Sequence, residues 1–301
     1  MFIQAAGALK AYLEQRRLAG ATHVPLRAGM LDRLRAAREK ADLRKREVRR
    51  LVEEQPAFEK ARPAPMPEPP LPPAAAPSGG PGLIEVPGVT KAEKLAALAA
   101  LAENAPEARA LGTLRETMVF ATGSPDAEIM LVGEAPGAEE ERLREPFVGP
   151  AGQKLTGILK AMGLERAQVY ISNICKFRPS LPNQGGSNRA PTPEEMRACR
   201  PFILTEIEIV RPKVIVALGA TAMQGLGLQG AVSSMRGRFH EVGGIPLMVT
   251  WHPSYILREE RNSGGQAFAA KRQVWEDMLK VMEKCGMAVS ARQRGYFQNK
   301  G

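Results

Sequence analysis

The feature of this sequence that most constrains its fold is an alternation of short apolar segments and helical segments from about residue 90 onward. Four apolar segments are typical of buried strands: AEIMLVG at 127–133, QVYISNI at 168–174, KVIVALG at 213–219 and PLMVTW at 246–251. Strands that alternate with helices predict a parallel sheet covered on both faces. We therefore expect a three-layer α/β/α domain with a central, mostly parallel four-stranded sheet.

The first 89 residues do not follow this pattern. Residues 1–60 indicate a helical extension in which Lys and Arg outnumber Asp and Glu, and residues 61–89 indicate a linker rich in Pro, Ala and Gly. We predict the main domain at 90–290 and a C-terminal tail at 291–301. The extension either contacts phosphates or packs on the main domain, and the sequence leaves both alternatives open.

Composition narrows the class of protein. The formal net charge of +10 favours a polyanionic partner. No stretch of eighteen apolar residues occurs, and the N-terminus becomes charged too soon for a secretory signal. Cys175, Cys199 and Cys285 form no CxxC pair and are too few for a disulfide framework. We expect a soluble, monomeric protein of a reducing cytoplasm.

Ligands of such sheets bind beyond the carboxyl ends of the strands, so motifs that directly follow a strand matter most. The loop 133–137, GEAPG, follows the first strand and holds Glu134 at its tip. It contains neither GxGxxG nor GxxxxGK[ST], which argues against a nucleotide-phosphate site. Phe147 follows on a rigid loop, EPFVGPAG, where an aromatic ring is either part of the core or a stacking surface.

Two further strands end in polar side chains. Asn173 lies at the end of the second strand, after QVYI, where its amide either reads an amide-like ligand edge or bonds its own backbone in a turn. His252 follows the fourth strand and is the one histidine of three at a predicted strand end. We take a Glu loop, an aromatic ring, an amide and a His-Pro segment, in this order, as one constellation.

This constellation resembles the uracil-DNA glycosylase superfamily, and family 4 within it, over roughly residues 95–285. The matching motifs are GEAPGAEEE, EPFVGPAGQKL, SNICKFRP, RPKVIVALGATA and WHPSYILR. The resemblance implies hydrolysis of the N-glycosidic bond of a uracil flipped out of DNA, which leaves an abasic site. The partner it implies is DNA containing uracil, and tolerance of other deaminated bases stays open.

The resemblance also implies roles for single residues. Phe147 would stack on uracil, Asn173 would read O4 and N3–H, and His252 would hydrogen-bond O2. Glu134 would orient or deprotonate the attacking water, or stabilise the cationic sugar, and Glu140 would exclude the methyl group of thymine. The remaining implied contacts are base contacts from Gly133, Ala135 and Gly137, and DNA contacts from Ser254, Tyr255 and Arg258.

The segment after His252 leaves two alternatives. Tyr255-Ile256-Leu257 is either an apolar wedge that fills the vacated base stack or the start of a helix that buries Ile256 and Leu257.

The sequence departs from family 4 at the iron–sulphur cluster, which takes four cysteines. Only Cys199 matches, and Phe177 stands at one of the ligand positions. We therefore predict no cofactor and no metal, with apolar packing that includes Phe177 in the cluster's place.

The loop 180–189 is expected to be mobile, and because it lacks histidine we exclude covalent crosslinking to the sugar. A non-catalytic module that binds damaged DNA is the alternative to an enzyme.

Overall fold

The computed structural model describes residues 82–262 and 266–297. The extension predicted at 1–60 and most of the predicted linker lie outside the described residues. Of the linker, 82–89 lack regular structure, but Ile84 and Val86 pack against the core. The Ile84 amide also donates to Thr205 Oγ1 at 2.9 Å. The main domain therefore draws part of its packing from the end of the predicted linker.

Helices and strands alternate through the main domain. The helices are α1 Lys91–Asn104, α2 Pro106–Ala110, α3 Ala138–Leu143, α4 Pro150–Met162, α5 Pro193–Val210, α6 Ala220–Gly225, α7 Val232–Met235, α8 Pro253–Arg261, α9 Gln266–Lys284 and α10 Ala291–Arg294. The strands are β1 Leu114–Met118, β2 Ala121–Gly123, β3 Ile129–Gly133, β4 Tyr170–Asn173, β5 Phe177–Pro179, β6 Val214–Leu218, β7 Phe239–Val242 and β8 Ile245–Thr250. The helix α5 begins after Thr192, whose hydroxyl accepts from the amide of Glu195.

The central sheet has six strands in the order β2-β4-β3-β6-β8-β7. Its four inner strands are parallel, which confirms the predicted four-stranded parallel sheet, and the two antiparallel edge strands extend it. In the register of the parallel strands, Gly133 lies opposite Asn173 and Leu218 opposite Thr250. The carboxyl ends of the inner strands are therefore flush, and the loops that follow them meet at one edge.

Two apolar clusters make the three layers. One face of the sheet packs against α1, α5 and α6, with Leu98, Ile203 and Met223 fully buried. The other face packs against α4, α8 and α9, with Leu159 and Val281 fully buried. Alternate residues of each inner strand enter opposite clusters, as strand geometry requires. Among the described residues, none of the helices combines the length and apolar character needed to span a bilayer.

Two segments lie outside the central sheet. β1 and β5 form a separate two-stranded antiparallel sheet. The predicted C-terminal tail packs on the domain as far as it is described, because Trp275 Nε1 donates to the Gln293 carbonyl at 2.8 Å and Gln293 Nε2 donates to the Ala161 carbonyl at 2.9 Å. The packed part of the chain therefore reaches beyond the predicted boundary at residue 290.

Candidate active site

A cavity of about 360 Å³ lies at the carboxyl ends of the inner strands. It is lined by side chains and backbone from the loops after β3, β4, β6 and β8, which the flush register brings together. The lining includes Glu134, Ala135, Gly137, Glu140, Phe147, Asn173, Asn188, Arg189, Gly219, Thr221, His252 and Ser254. Glu134, Phe147, Asn173 and His252, which the sequence predicted to act together, therefore share one cavity.

Glu134 is the first residue after β3 and is partly exposed to the cavity. The Thr221 hydroxyl donates to its Oε2 at 2.6 Å. The backbone carbonyls of Gly133 and Glu134 accept from the amides of Ile174 and Cys175, each at 3.0 Å. The loop that holds the carboxylate is thus fixed to the end of β4.

Phe147 is buried, and its backbone has a φ of 57° in the left-handed region, which a bulky side chain adopts at a cost in free energy. Arg166 stabilises this turn by donating to the Phe147 carbonyl at 3.0 Å and the Pro146 carbonyl at 2.8 Å. A Cβ atom at Gly152 would overlap the Phe147 carbonyl, and one at Gly133 would overlap the Phe147 ring. Gly152 therefore makes room for the backbone turn at Phe147, and Gly133 makes room for its ring.

Asn173 ends β4 with a side chain that is 2% exposed. Its Oδ1 is buried and accepts no hydrogen bond from any of the described residues. A buried polar atom left without a partner costs about 1–3 kcal/mol. The Oδ1 atom of Asn173 thus lies at the cavity, beside the Phe147 ring, without a hydrogen-bond partner. A hydrogen-bond donor on a ligand would remove this cost in free energy.

His252 follows β8 and caps α8. Its Nδ1 accepts from the Ser254 amide at 3.1 Å and lies 2.7 Å from the Ser254 hydroxyl, so the proton of the neutral ring is assigned to Nε2. The ring is partly exposed and its centroid is 5.8 Å from that of Phe147. Burial among protein atoms lowers its pKa from 6.5 to about 4, so the imidazole is neutral at pH 7.

Glu140 lines the cavity with a carboxylate that is already hydrogen-bonded. It accepts from the amides of Gly137 at 3.2 Å, Val148 at 3.1 Å and Gly149 at 2.9 Å. The side chain thereby joins the Glu134 loop to the Phe147 loop, a contact that the sequence reasoning did not predict.

The segment after His252 is the start of α8. Ile256 is 1% exposed and packs in the core, so for this residue the wedge alternative is wrong. Leu257 is partly exposed and lines an apolar groove. The Tyr255 ring stacks on Trp251 with centroids 4.6 Å apart, and the Arg258 guanidinium lies 5.1 Å from the Tyr255 centroid. Tyr255 and Arg258 therefore form a stacked surface beside the cavity.

The loop 180–189, which the sequence predicts to be mobile, is hydrogen-bonded through two arginines. Arg178 donates to the carbonyls of Gly185 and Ser187 and to Asn188 Oδ1, at 2.8–3.0 Å. Arg189 donates to the Ser180 carbonyl at 2.9 Å and to both oxygens of the Glu195 carboxylate. These bonds bring Asn188 and Arg189 to the cavity wall, where the sequence reasoning had not assigned them.

Sequence reasoning also missed Gly219 and Thr221. Both lie in GATA, directly after β6, so the rule that ligands bind at strand ends would have found them. Gly219 has a φ of 89°, and a Cβ atom there would lie 3.0 Å from His252 Cβ.

Lys176 lies close to the site in sequence but does not line the cavity. It is 0% exposed, and its Nζ donates to Ser172 Oγ at 2.7 Å and the Asn173 carbonyl at 2.9 Å and pairs with Glu206. Its amine is thus held in a closed polar network behind the strand end.

Fold and cavity together define a doubly wound α/β protein whose strand-end cleft is lined by a carboxylate, an aromatic ring, an amide and an imidazole. The family model of the Uracil DNA glycosylase superfamily matches residues 120–279. This chain belongs to the uracil-DNA glycosylase superfamily.

Three relatives share much of their length with this chain, and each is named Type-4 uracil-DNA glycosylase. The Thermotoga maritima protein is 44% identical over 170 residues, which cover 56% of this chain and 82% of the relative. The Sulfurisphaera tokodaii protein is 48% identical over 157 residues, covering 49% and 69%. The Archaeoglobus fulgidus protein is 38% identical over 178 residues, covering 54% and 80%.

The iron–sulphur cluster implied by the family resemblance does not fit the residues present. Phe177, at one ligand position, is 1% exposed and lies 5.0 Å from the Arg109 guanidinium. Cys175 and Cys199 are buried in one apolar cluster, while Cys285 lies in the cluster on the opposite face of the sheet. Since the chain has three cysteines and a cluster takes four thiolates, two neighbouring thiols cannot hold it.

Proposed function

We propose that this protein is a uracil-DNA glycosylase, which hydrolyses the N-glycosidic bond of a flipped-out uracil in DNA and leaves an abasic site. The names of its relatives support this function, and the observation that carries it is the unpartnered Oδ1 of Asn173. Uracil has an N3–H beside the O4 carbonyl, so it supplies one donor to Oδ1 and one acceptor to Nδ2.

The same amide rejects cytosine. Cytosine has an unprotonated N3 and an amino group at C4, so Asn173 Oδ1 would remain unpartnered and Nδ2 would face another donor. Each mismatch leaves a buried polar group without a hydrogen bond, and such groups account for strong discrimination between ligands. The Phe147 ring next to Asn173 would hold the base by stacking.

His252 would act on the leaving group. When the bond between C1′ and N1 breaks, the electron pair stays on uracil and negative charge develops on O2. A neutral imidazole with its proton on Nε2 donates to that oxygen, and one donor of this kind supplies roughly 3–4 kcal/mol. The Ser254 amide keeps the donor atom on the correct side of the ring.

Glu134 would act on the sugar side. Its carboxylate orients a water toward C1′, accepts the proton as the new C–O bond forms, or stabilises the positive charge on the sugar. We keep these three roles open, together with a role for Glu140 against the C5 position of the base. The neighbouring backbone of Gly133, Ala135 and Gly137 would supply further base contacts.

DNA itself would lie over the cavity mouth. Ser254, Tyr255 and Arg258 are at the start of α8, next to His252, where a phosphate and an unstacked base would meet them. We further propose a monofunctional enzyme without lyase chemistry, because the buried Lys176 amine is engaged elsewhere. A monomeric state, a cytoplasmic location and a DNA or packing role for residues 1–60 remain part of this proposal.

The experiment is single-turnover release of free base from labelled oligonucleotides that contain uracil, thymine or hypoxanthine. Wild type is compared with Glu134→Gln and His252→Ala, and DNA affinity is measured in parallel. We expect the rate of uracil release to fall about 100-fold or more in each variant, while the affinity for DNA is unchanged. Wild type that binds uracil DNA and releases no base would favour the non-catalytic binding module and overturn the proposal.

A further inference from the structure

The segment Gly219–Thr221 runs between the two groups to which we assign the chemistry. It follows β6, and the Gly219 amide donates to the Thr250 carbonyl at 2.9 Å, two residues before His252. At its other end, the Thr221 hydroxyl donates to Glu134 Oε2 at 2.6 Å. One short turn therefore contacts both the His252 side and the Glu134 side of the cavity.

We propose that Thr221 is a positioning residue that selects and holds the reactive orientation of the Glu134 carboxylate. This inference rests on the proposed function and adds to it a residue from the loop after β6. Thr221 is placed as the second residue of α6, is partly exposed and lines the same cavity as Glu134.

The physical reason is that a carboxylate on a loop rotates about its terminal bond unless one oxygen is held. A hydroxyl at 2.6 Å occupies Oε2 with a short, charge-assisted hydrogen bond. Oε1 is then the oxygen left to receive the proton of a water at the sugar. Holding the acceptor in advance removes the cost of orienting it during the reaction.

Gly219 makes this arrangement possible. Its positive φ lets the chain turn sharply from β6 into α6, and the absence of a side chain leaves room for His252. The turn thus approaches His252 closely and still delivers the Thr221 hydroxyl to Glu134.

The test compares Thr221→Val with Thr221→Ser in single-turnover uracil release. Valine keeps the shape and removes the donor, so we expect the rate to fall about 10- to 100-fold, the range of one hydrogen bond to a charged group. Serine keeps the donor and should restore the rate to within about 3-fold of wild type. Affinity for DNA that carries a non-hydrolysable 2′-fluoro uracil nucleotide should be unchanged in both.

A double-mutant cycle separates positioning from a general structural role. In a Glu134→Gln background the carboxylate is already absent, so adding Thr221→Val should lower the single-turnover rate by less than about a further 3-fold. Thr156→Val is the matched control, because this hydroxyl is also partly buried but donates at 3.0 Å to the Gly152 carbonyl of its own helix. That control should react at the wild-type rate.

The outcomes are distinguishable. Thr221→Val at the wild-type rate, Thr221→Ser as slow as Thr221→Val, or full additivity with Glu134→Gln would each overturn the inference and leave the proposed function standing. A wild type that releases no uracil would instead overturn the proposed function. Melting temperatures of all variants within about 2 °C of wild type would show that the rates compare folded proteins.

Discussion

Two buried polar clusters lie at the end of β4, and they are built in opposite ways. Behind the strand, Lys176 and Glu206 are both 0% exposed, and their hydrogen bonds go to Tyr170, Ser172 and the Asn173 carbonyl. On the cavity side of the strand end, the Oδ1 atom of Asn173 is buried and accepts no hydrogen bond from any described residue. In the first cluster Glu206 Oε1 makes no hydrogen bond but is paired with the Lys176 ammonium, so its charge is compensated within the protein. Asn173 Oδ1 has neither kind of partner and is left for a ligand.

This difference separates stability from function within a few residues of one chain. A buried polar group with all of its partners fixes the structure around it, while a buried group without one is kept at a cost and indicates a binding site. Removing a member of the first cluster should destabilise the fold, and removing a member of the second should abolish recognition. Of the four predictions below, which run from the largest effect to the smallest, the first two test that division.

Lys176→Met should produce the largest loss of stability. The substitution leaves the Glu206 carboxylate buried without its cation, which costs about 3–5 kcal/mol of the free energy of unfolding. Urea denaturation of wild type and variant measures this loss. The double variant Lys176→Met/Glu206→Gln is the control, and it should recover much of the loss because no buried charge remains.

The same variants can break the comparison. Under conditions where Lys176→Met is folded, its single-turnover rate on uracil DNA should stay within about 3-fold of wild type. A fall of 10-fold or more, with the protein folded, would make the network part of the site through the Asn173 carbonyl that Lys176 holds.

Asn173→Leu should have the opposite signature. We expect uracil release to fall roughly 100- to 1000-fold, since both hydrogen bonds to the base edge are lost. The free energy of unfolding should stay equal or rise, because an unpaired buried amide is replaced by an apolar group of similar size. Asn104→Leu, at an exposed position on α1, is the control for adding leucine. A variant that loses stability and keeps its activity would reverse our assignment of the cluster.

Much of this site could be predicted from the sequence, since Glu134 and His252 lie just beyond apolar strands and Asn173 is the last residue of one. The edge strands β2 and β7 were missed because each is short and at most half-buried, so neither has a continuous apolar pattern. The Lys176–Glu206 pair could not be predicted, because it joins a loop to a helix thirty residues on and no local pattern marks it. Thr221 also lies just after an apolar strand, but nothing local in the sequence indicates that its hydroxyl contacts Glu134, 87 residues earlier.

The pKa of His252 predicts a pH dependence of stability. Its folded-state pKa of about 4 lies below the 6.5 of the unfolded chain, so the unfolded state takes up the proton first as the pH falls. Stability contributed by neutral His252 is present above pH 6.5 and is lost between about pH 6.5 and 4, by about 3 kcal/mol.

His252→Asn is the matched variant, because asparagine also caps a helix but does not titrate. Denaturation curves between pH 4 and 7 should show a smaller loss of stability at low pH in the variant. Burial raises the pKa of Asp277 to about 6, so this residue changes stability in the opposite direction as the pH falls. Both proteins contain Asp277, so its contribution cancels when their curves are compared. Parallel pH curves for wild type and variant would show that the ring titrates as it does in the unfolded chain.

The smallest effect is expected one residue beyond Lys176, at Phe177. Where the family resemblance implies a cluster ligand, this ring packs under Arg109, whose guanidinium also donates to the carbonyls of Glu103 and Glu116. Contacts within the chain therefore hold together the region that an iron–sulphur cluster would otherwise crosslink.

We expect protein purified without oxygen to contain less than about 0.1 iron per chain, since two thiols cannot retain a cluster. An iron chelator should then shift its melting temperature by less than about 1 °C, because no bound metal contributes to the folded state. Stoichiometric iron and sulphide, with a chelator-sensitive melting temperature, would contradict this prediction and require ligands that we have not identified.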